Sequence, residues 1–227
     1  MNLKIMEEIA VKTPSGVMIV GNFEEVRPDH GAALLLHMMP ATKESYEKLQ
    51  TMLGQAKISS LAIDLRGHGK SVFSNAGLLD FHDFSDREHQ NSIEDVNSSV
   101  EWLLSATGFE KTSLILIGAS IGANLALQYA AANTTAKNIV ALSPGLNYRG
   151  IATMPLVKAL VPNQRLLLAA SKEDTESAEA VEKLAEVSLA ATEVLMFENA
   201  GHGTNMFDTE PELLNRLVEW AKIGIKA

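Results

Sequence analysis

The feature that most constrains the fold is an apolar run that passes through a glycine-flanked serine directly into a helix-forming segment. Leu114–Ile117 contains only leucine and isoleucine, and residues 118–122 read Gly-Ala-Ser-Ile-Gly. So tight a turn leaves no room for larger side chains two positions to either side of the serine, where glycines stand. The pattern predicts a buried strand, a sharp turn with Ser120 at its tip, and a helix over 121–132.

This Gly-x-Ser-x-Gly spacing between a strand and a helix is the arrangement of a nucleophile elbow. The turn raises the Ser120 hydroxyl into a cleft, and the start of the following helix offers backbone N–H groups to a developing negative charge. Ser120 is therefore a candidate nucleophile, and the backbone N–H of Ile121 is a candidate donor to an oxyanion.

Composition narrows the classes of protein. The chain has 227 residues, of which 46 % are hydrophobic, and this suits a single α/β domain over 1–227. A net charge of −9 without a basic stretch disfavours binding to nucleic acid. The absence of cysteine excludes disulfides, thiol catalysis and cysteine-based metal sites. With no apolar leader and no run long enough to span a membrane, we expect a cytoplasmic protein without a membrane span.

Strands and helices alternate along most of the chain. Two strands, 3–11 and 17–23, flank a Thr-Pro-Ser-Gly turn and predict an N-terminal antiparallel hairpin. Beyond them, continuous apolar runs alternate with amphipathic segments, which predicts a mostly parallel central sheet with helices on both faces. The predicted strands are 32–37, 60–65, 112–117, 138–143, 165–170 and 194–197, and the predicted helices are 42–56, 92–106, 121–132, 175–190 and 209–223.

Two segments, 67–91 and 144–164, show no clear periodicity. Each follows a predicted strand at its carboxyl end, where open α/β sheets place their ligands. Both segments are therefore candidate walls of a cleft. The second has room for one short helix around 151–160, and we treat 144–164 as a short cap-like segment over a rather open site.

An acid and a histidine follow the last two predicted strands. Asp174 comes after the strand at 165–170, and His202 lies between two glycines after the strand at 194–197. A carboxylate can hold a histidine in the tautomer that accepts a proton from serine. The chain order Ser120, Asp174, His202 is the order found when this chemistry is built on an α/β sheet.

Further motifs follow two earlier predicted strands. Residues 37–40 read His-Met-Met-Pro, and in such a fold this loop supplies a second oxyanion donor, here the backbone N–H of Met38. We interpret His37 as a strand-end residue that is hydrogen-bonded to backbone. Residues 64–71 read Asp-Leu-Arg-Gly-His-Gly-Lys-Ser. We expect Asp64 to bond backbone or Arg66.

These motifs together resemble those of the α/β-hydrolase superfamily over nearly the full length. The nearest pattern is that of small dienelactone-hydrolase-like or acyl-peptidase-like serine hydrolases without a large cap. Two departures matter. The His-Gly-Gly-Gly oxyanion signature of many esterases is absent, because methionines stand where glycines would be. Dienelactone hydrolases proper use a cysteine, which this chain lacks.

The resemblance implies the α/β-hydrolase fold and a Ser-His-Asp triad of Ser120, His202 and Asp174 that works through an acyl-enzyme. It implies backbone oxyanion donors at Met38 and Ile121, and no metal, nucleotide or organic cofactor. The expected partner is a small ester-type substrate with a short or medium acyl group, whose pocket would be lined by Met39, Leu146 and Met154.

Carboxylesterase is the first choice of activity. Thioesterase, lactonase, peptidase and amidase use the same machinery, and a non-catalytic ligand-binding protein or an acyltransferase is a hypothesis of another class. Both a monomer and a homodimer agree with the sequence.

Overall fold

A long twisted sheet organises the protein, whose computed structural model describes residues 3–27 and 30–226. In chain order the strands are β1 Leu3–Lys12, β2 Met18–Arg27, β3 Ala32–Leu36, β4 Ser59–Ile63, β5 Phe73–Ser74, β6 Gly77–Leu78, β7 Leu114–Ala119, β8 Asn138–Leu142, β9 Asn147–Tyr148, β10 Ile151–Ala152, β11 Arg165–Ser171 and β12 Ala191–Phe197. All but β9 and β10, which form their own small hairpin, belong to one sheet.

The order of strands across the sheet is β12-β11-β8-β7-β3-β4-β2-β5-β6, with β1 paired to β2. The strands from β12 to β4 are parallel, and β2 runs antiparallel to both β4 and β1. The mostly parallel sheet and its N-terminal antiparallel hairpin confirm the predicted fold class. The strand that precedes Ser120 lies at the centre of the sheet.

Helices cover both faces of the sheet. They are α1 Glu47–Gln55, α2 Asp86–Gln90, α3 Ile93–Thr107, α4 Ile121–Ala132, α5 Thr153–Lys158, α6 Thr175–Val187, α7 Met206–Thr209 and α8 Pro211–Lys226, and a 3₁₀ turn, Lys43–Tyr46, leads into α1. No helix in the described part of the chain is both long enough and apolar enough to cross a bilayer.

The alternation of side chains along the strands divides the core in two. In β3, Ala32, Leu34 and Leu36 pack on the face that α3 and α4 cover, whereas Ala33 and Leu35 pack on the face that α1 and α8 cover. Each of these five residues is fully buried, and this is why the sequence reads as an unbroken apolar run rather than as an alternating one.

The two aperiodic segments fold into small elements that touch each other. The first forms the β5–β6 hairpin and α2, and the second forms the β9–β10 hairpin and α5. The Gln90 side chain donates a hydrogen bond to the Arg149 carbonyl (3.0 Å), and Arg149 lies 3.8 Å from the Asp86 carboxylate. The short helix expected around 151–160 is α5, Thr153–Lys158.

Candidate active site

Ser120 occupies a strained turn between the central strand and a helix. Its φ and ψ are 54° and −118°, in a region that side-chain-bearing residues rarely adopt. The Ser120 N–H donates to the Leu142 carbonyl (2.8 Å), and this bond ties the turn to the end of β8. Ser120 is half-buried at the carboxyl end of β7, whereas every residue of that strand is buried.

The two flanking glycines are required by backbone contacts. A Cβ added to Gly118 would lie 2.1 Å from the Gly122 carbonyl oxygen, and one added to Gly122 would lie 2.3 Å from the Leu36 carbonyl oxygen. Both neighbours are backbone atoms of packed elements and have no flexible side chain to move aside. The structure therefore agrees with the sequence prediction that no larger residue fits at either position.

The same close packing brings the start of α4 beside the loop that follows β3. An added Cβ on Gly122 would also approach the His37 carbonyl oxygen at 2.7 Å. The first N–H groups of a helix have no partner within the helix, and Ile121 is the first residue of α4. The arrangement thus places the Ile121 N–H next to the loop that carries Met38.

His202 is paired with Asp174. The His202 Nδ1 lies 2.6 Å from Asp174 Oδ2, and the two side chains are 34 % and 18 % exposed. Because an ionised carboxylate only accepts hydrogen bonds, Nδ1 carries the proton and donates it. In the neutral ring Nε2 is then left as an acceptor, which is the state that a general base requires.

Two residues that precede Asp174 hold the loop before His202. The Ser171 hydroxyl accepts a hydrogen bond from the Ala200 N–H (2.8 Å), and the Glu173 carboxylate accepts one from the Gly201 N–H (2.7 Å). Glu173 therefore contacts the backbone of this loop, whereas Asp174 contacts the imidazole. These roles of Ser171 and Glu173 were not predicted from the sequence, although the position of Ser171 at the buried end of a strand pointed to the first of them.

A third hydrogen bond joins the His202 loop to the centre of the sheet. The Gly203 N–H donates to the hydroxyl of the fully buried Ser143 (2.9 Å). A Cβ on Gly203 would lie 3.4 Å from the Ala119 Cβ and 2.6 Å from the Met38 sulfur. The residue after His202 thus packs against the residue before Ser120, so the loop of His202 lies beside the turn of Ser120.

The methionines of the loop after β3 go to opposite sides of the sheet. Met38 is buried in the core cluster under α1 and α8, whereas Met39 is half-buried against the other cluster. Leu146 and Met154 are half-buried against that same cluster. Of the two methionines, Met39 is therefore the one whose side chain shares a face with the other predicted pocket residues.

His37 is held entirely by backbone. Its Nε2 accepts a hydrogen bond from the Leu65 N–H (2.9 Å), and its Nδ1 donates to the Met38 carbonyl (2.8 Å). Burial, and then the neighbouring His68, lower the pKa of His37 from 6.5 to about 4. A ring with both nitrogens engaged fits the structural interpretation of this residue and fixes the loop that carries Met38.

This buried histidine makes stability depend on pH. An unfolded histidine titrates near pH 6.5, well above the pKa of about 4 that His37 has when folded. Between these values the unfolded chain binds more protons, so the free energy of unfolding falls as the pH drops below about 6.5, and the loss is complete below about 4. We expect urea unfolding to show a stability about 2 kcal/mol lower at pH 5 than at pH 7 from His37 alone.

The matching variant is His37→Asn, which stays polar but does not titrate. Whatever its absolute stability, the difference between pH 5 and pH 7 should shrink. An unchanged difference would mean that other groups carry the pH dependence. Burial also lowers the pKa of His68 and of His89, so a residual difference of the same sign is expected.

In the polar loop after β4, the first of the two alternatives expected for Asp64, a bond to backbone, is the one observed. Asp64 accepts hydrogen bonds from backbone, as expected, but its side-chain partner is the buried Lys43 (2.8 Å) and not Arg66. Arg66 instead binds Asp95 of α3, which is fully buried (2.7 Å). Lys43 and Asp95 both lie outside residues 64–71, so the motif alone could not reveal either ion pair.

A family model described as Hydrolase_4: Serine aminopeptidase, S33 matches residues 27–200 of the chain. The match includes Ser120 and Asp174 and ends just before His202. No curated protein is significantly similar to the chain in sequence.

Solved structures share the fold at low identity. The Pyrococcus furiosus esterase Pf2001 superposes with a TM-score of 0.75 at 17 % identity, covering 96 % of this chain and 90 % of that one. The dienelactone hydrolase from Anabaena variabilis superposes with a TM-score of 0.70 at 19 % identity, covering 96 % of this chain and 95 % of that one. The acetyl xylan esterase from Paenibacillus sp. R4 superposes with a TM-score of 0.75 at 13 % identity, covering 96 % of this chain and 87 % of that one. At such identities these similarities establish the fold.

Proposed function

We propose that this chain, which belongs to the Hydrolase_4 family, described as serine aminopeptidase, S33, and is a hydrolase of the α/β-hydrolase fold, cleaves carboxylic esters of short or medium acyl groups. The observation that carries the proposal is the His202–Asp174 pair at 2.6 Å, on a loop that packs against the residue before Ser120.

In the proposed reaction, His202 Nε2 takes the proton of Ser120 as the Ser120 oxygen attacks the ester carbonyl carbon. The backbone N–H groups of Met38 and Ile121 bind the oxyanion of the tetrahedral intermediate. Collapse of that intermediate releases the alcohol, which takes its proton from His202. Water then attacks the acyl-enzyme with His202 as base, and releases the acid and free Ser120.

The test is a panel of p-nitrophenyl esters, thioesters and aminoacyl anilides, measured on the wild type and on Ser120→Ala. A fluorophosphonate probe should label the wild type at Ser120, and mass spectrometry of the labelled peptide identifies the site. A folded wild type that neither turns over an ester nor takes the label would point instead to a non-catalytic ligand-binding protein.

One observation favours a second activity on the same residues. The family that matches the chain is described as serine aminopeptidase, S33. Cleavage of amides would use the same attack and the same proton transfers, with an amine as the leaving group. Faster turnover of aminoacyl anilides than of matched esters would replace the esterase proposal with this one.

The half-buried Met39 leads to a prediction about acyl length. Its side chain packs on the same core cluster as Leu146 and Met154, beside the proposed oxyanion loop. Because a methionine limits space only by packing, Met39→Ala should shift preference toward longer acyl chains by about 1 kcal/mol per methylene, roughly fivefold in kcat/KM. A series of p-nitrophenyl esters from acetate to octanoate measures this shift.

Met38 provides the control for that experiment. Its side chain is buried in the opposite cluster, so Met38→Ala should lower the melting temperature without moving the chain-length preference. If Met39→Ala behaves in the same way, its side chain is core rather than pocket.

A further inference from the structure

Tyr148 lies between His202 and the helix that follows the proposed acid. Its ring centroid is 6.4 Å from that of His202, and the two ring planes are at 73°. Its hydroxyl is 3.2 Å from the hydroxyl of Ser177, in the first turn of α6. The ring covers Gly145, where an added Cβ would come within 2.5 Å of the ring carbon that bears the hydroxyl.

The hairpin that carries Tyr148 is fixed to the helix that follows Ser120. The buried Asn124 of α4 donates to the carbonyls of Gly145 (3.1 Å) and Ile151 (2.9 Å) and accepts from the Gly145 N–H (3.1 Å). Thr153 adds a hydrogen bond from its hydroxyl to the Gly145 carbonyl (2.8 Å). Tyr148 is therefore positioned by the same helix that begins at the nucleophile turn.

The electrostatic surroundings keep the phenol protonated. Burial is the main cause that raises the pKa of Tyr148, and the charges of Asp174 and Glu176 act in the same direction. The hydrogen bond with the Ser177 hydroxyl acts in the opposite direction and is outweighed. At neutral pH Tyr148 is thus a hydrogen-bond donor beside His202.

The place of the leaving group follows from the proposed function, on which this step rests. The leaving oxygen must receive its proton from His202, so it lies between His202 and the carbon bound to Ser120. The Tyr148 ring flanks His202, and its hydroxyl contacts the helix that begins directly after Asp174, so both contacts put the hydroxyl on the His202 side of the site.

We propose that Tyr148 is a catalytic residue that donates a hydrogen bond to the leaving-group oxygen as the bond between that oxygen and the carbonyl carbon breaks. The electron pair of the broken bond stays on the leaving oxygen, which receives the proton of His202 Nε2. Tyr148 keeps its own proton throughout. Its hydrogen bond stabilises the partial negative charge that the oxygen carries before proton transfer is complete.

Such a donor matters most when the leaving group is poor. The experiment compares the wild type with Tyr148→Phe on esters of one acyl group, with alcohols ranging from p-nitrophenol to ethanol. We expect kcat/KM to fall about 10- to 100-fold for the ethyl ester and less than about threefold for the p-nitrophenyl ester. The dependence of rate on the pKa of the leaving group therefore becomes steeper. Tyr129→Phe, a tyrosine at the far end of α4, should leave that dependence unchanged.

The rate of fluorophosphonate labelling and the melting temperature complete the test. Fluoride is a good leaving group, so Tyr148→Phe should label at close to the wild-type rate. Parallel losses on all esters, or a loss that follows a lower melting temperature, would overturn the assignment and leave Tyr148 as a packing residue. A wild type that does not label at Ser120 would remove the nucleophile itself and so overturn the proposed function along with this step.

Discussion

Ser120→Ala is expected to lower kcat for ester hydrolysis at least about 1000-fold while the protein stays folded. The hydroxyl is the group that forms the proposed acyl-enzyme, and neither His202 nor the oxyanion donors can replace it. Alanine keeps the Cβ of serine, so the positive φ of 54° at this position costs the variant no more than it costs the wild type. Steady-state kinetics on a p-nitrophenyl ester and a thermal melt measure the two expectations.

The matched control is Ser105→Ala, which removes an exposed hydroxyl from α3. It should retain both the wild-type rate and the fluorophosphonate label. Wild-type-like hydrolysis by a folded Ser120→Ala protein would refute the nucleophile and, with it, the proposed mechanism.

The fold could be predicted because the elements that define it are local in sequence. The central parallel strands carry unbroken apolar runs, such as the whole of β3 and Leu114–Ile117 in β7, and the alternation with helices leaves few other architectures. The boundaries were less exact. The predicted strand 194–197 extends back to Ala191, and the predicted helix 209–223 is α8, Pro211–Lys226, with Thr209 at the end of the separate helix α7. A proline fits the first position of a helix because no helical partner exists there for the missing N–H.

The parts of the site that could be predicted are those marked by glycines. Gly118 and Gly122 identify the turn at Ser120, and the glycines around His202 identify its loop, because only glycine meets the backbone demands of such turns. Asp174 was predicted from its place after a strand and from the chain order of the triad, and in the structure it is Asp174 that contacts His202.

What the sequence could not reveal are contacts between side chains that are remote along the chain. Ser143 binds the Gly203 backbone, and Tyr148 binds Ser177, without any motif that pairs them. The opposite directions of Met38 and Met39 likewise depend on the twist of one loop between two packed clusters. Such contacts depend on the final packing rather than on a local pattern.

Asp174→Asn is expected to cost roughly 1000-fold in kcat, whereas Glu173→Gln should cost less than about threefold. The Asp174 carboxylate can only accept the hydrogen bond of His202 Nδ1, and this favours the tautomer whose Nε2 is free for the proposed proton transfer from Ser120. An asparagine can offer its NH2 group instead, which favours the tautomer with the proton on Nε2 and removes the general base. The variant would also lack the carboxylate charge that stabilises the imidazolium formed during the proposed reaction.

Glu173→Gln is the matched change at the neighbouring position. Glu173 uses its carboxylate to accept the Gly201 N–H (2.7 Å), and the amide oxygen of glutamine can accept the same hydrogen bond. Both variants lose one negative charge from the same turn, so a purely electrostatic effect of net charge would lower their rates equally. A large loss in Asp174→Asn alone, with similar melting temperatures, would assign the role to the contact with His202. If the two phenotypes were exchanged, Glu173 would be the triad acid, and the structural pairing of Asp174 with His202 would not be the one that catalysis uses.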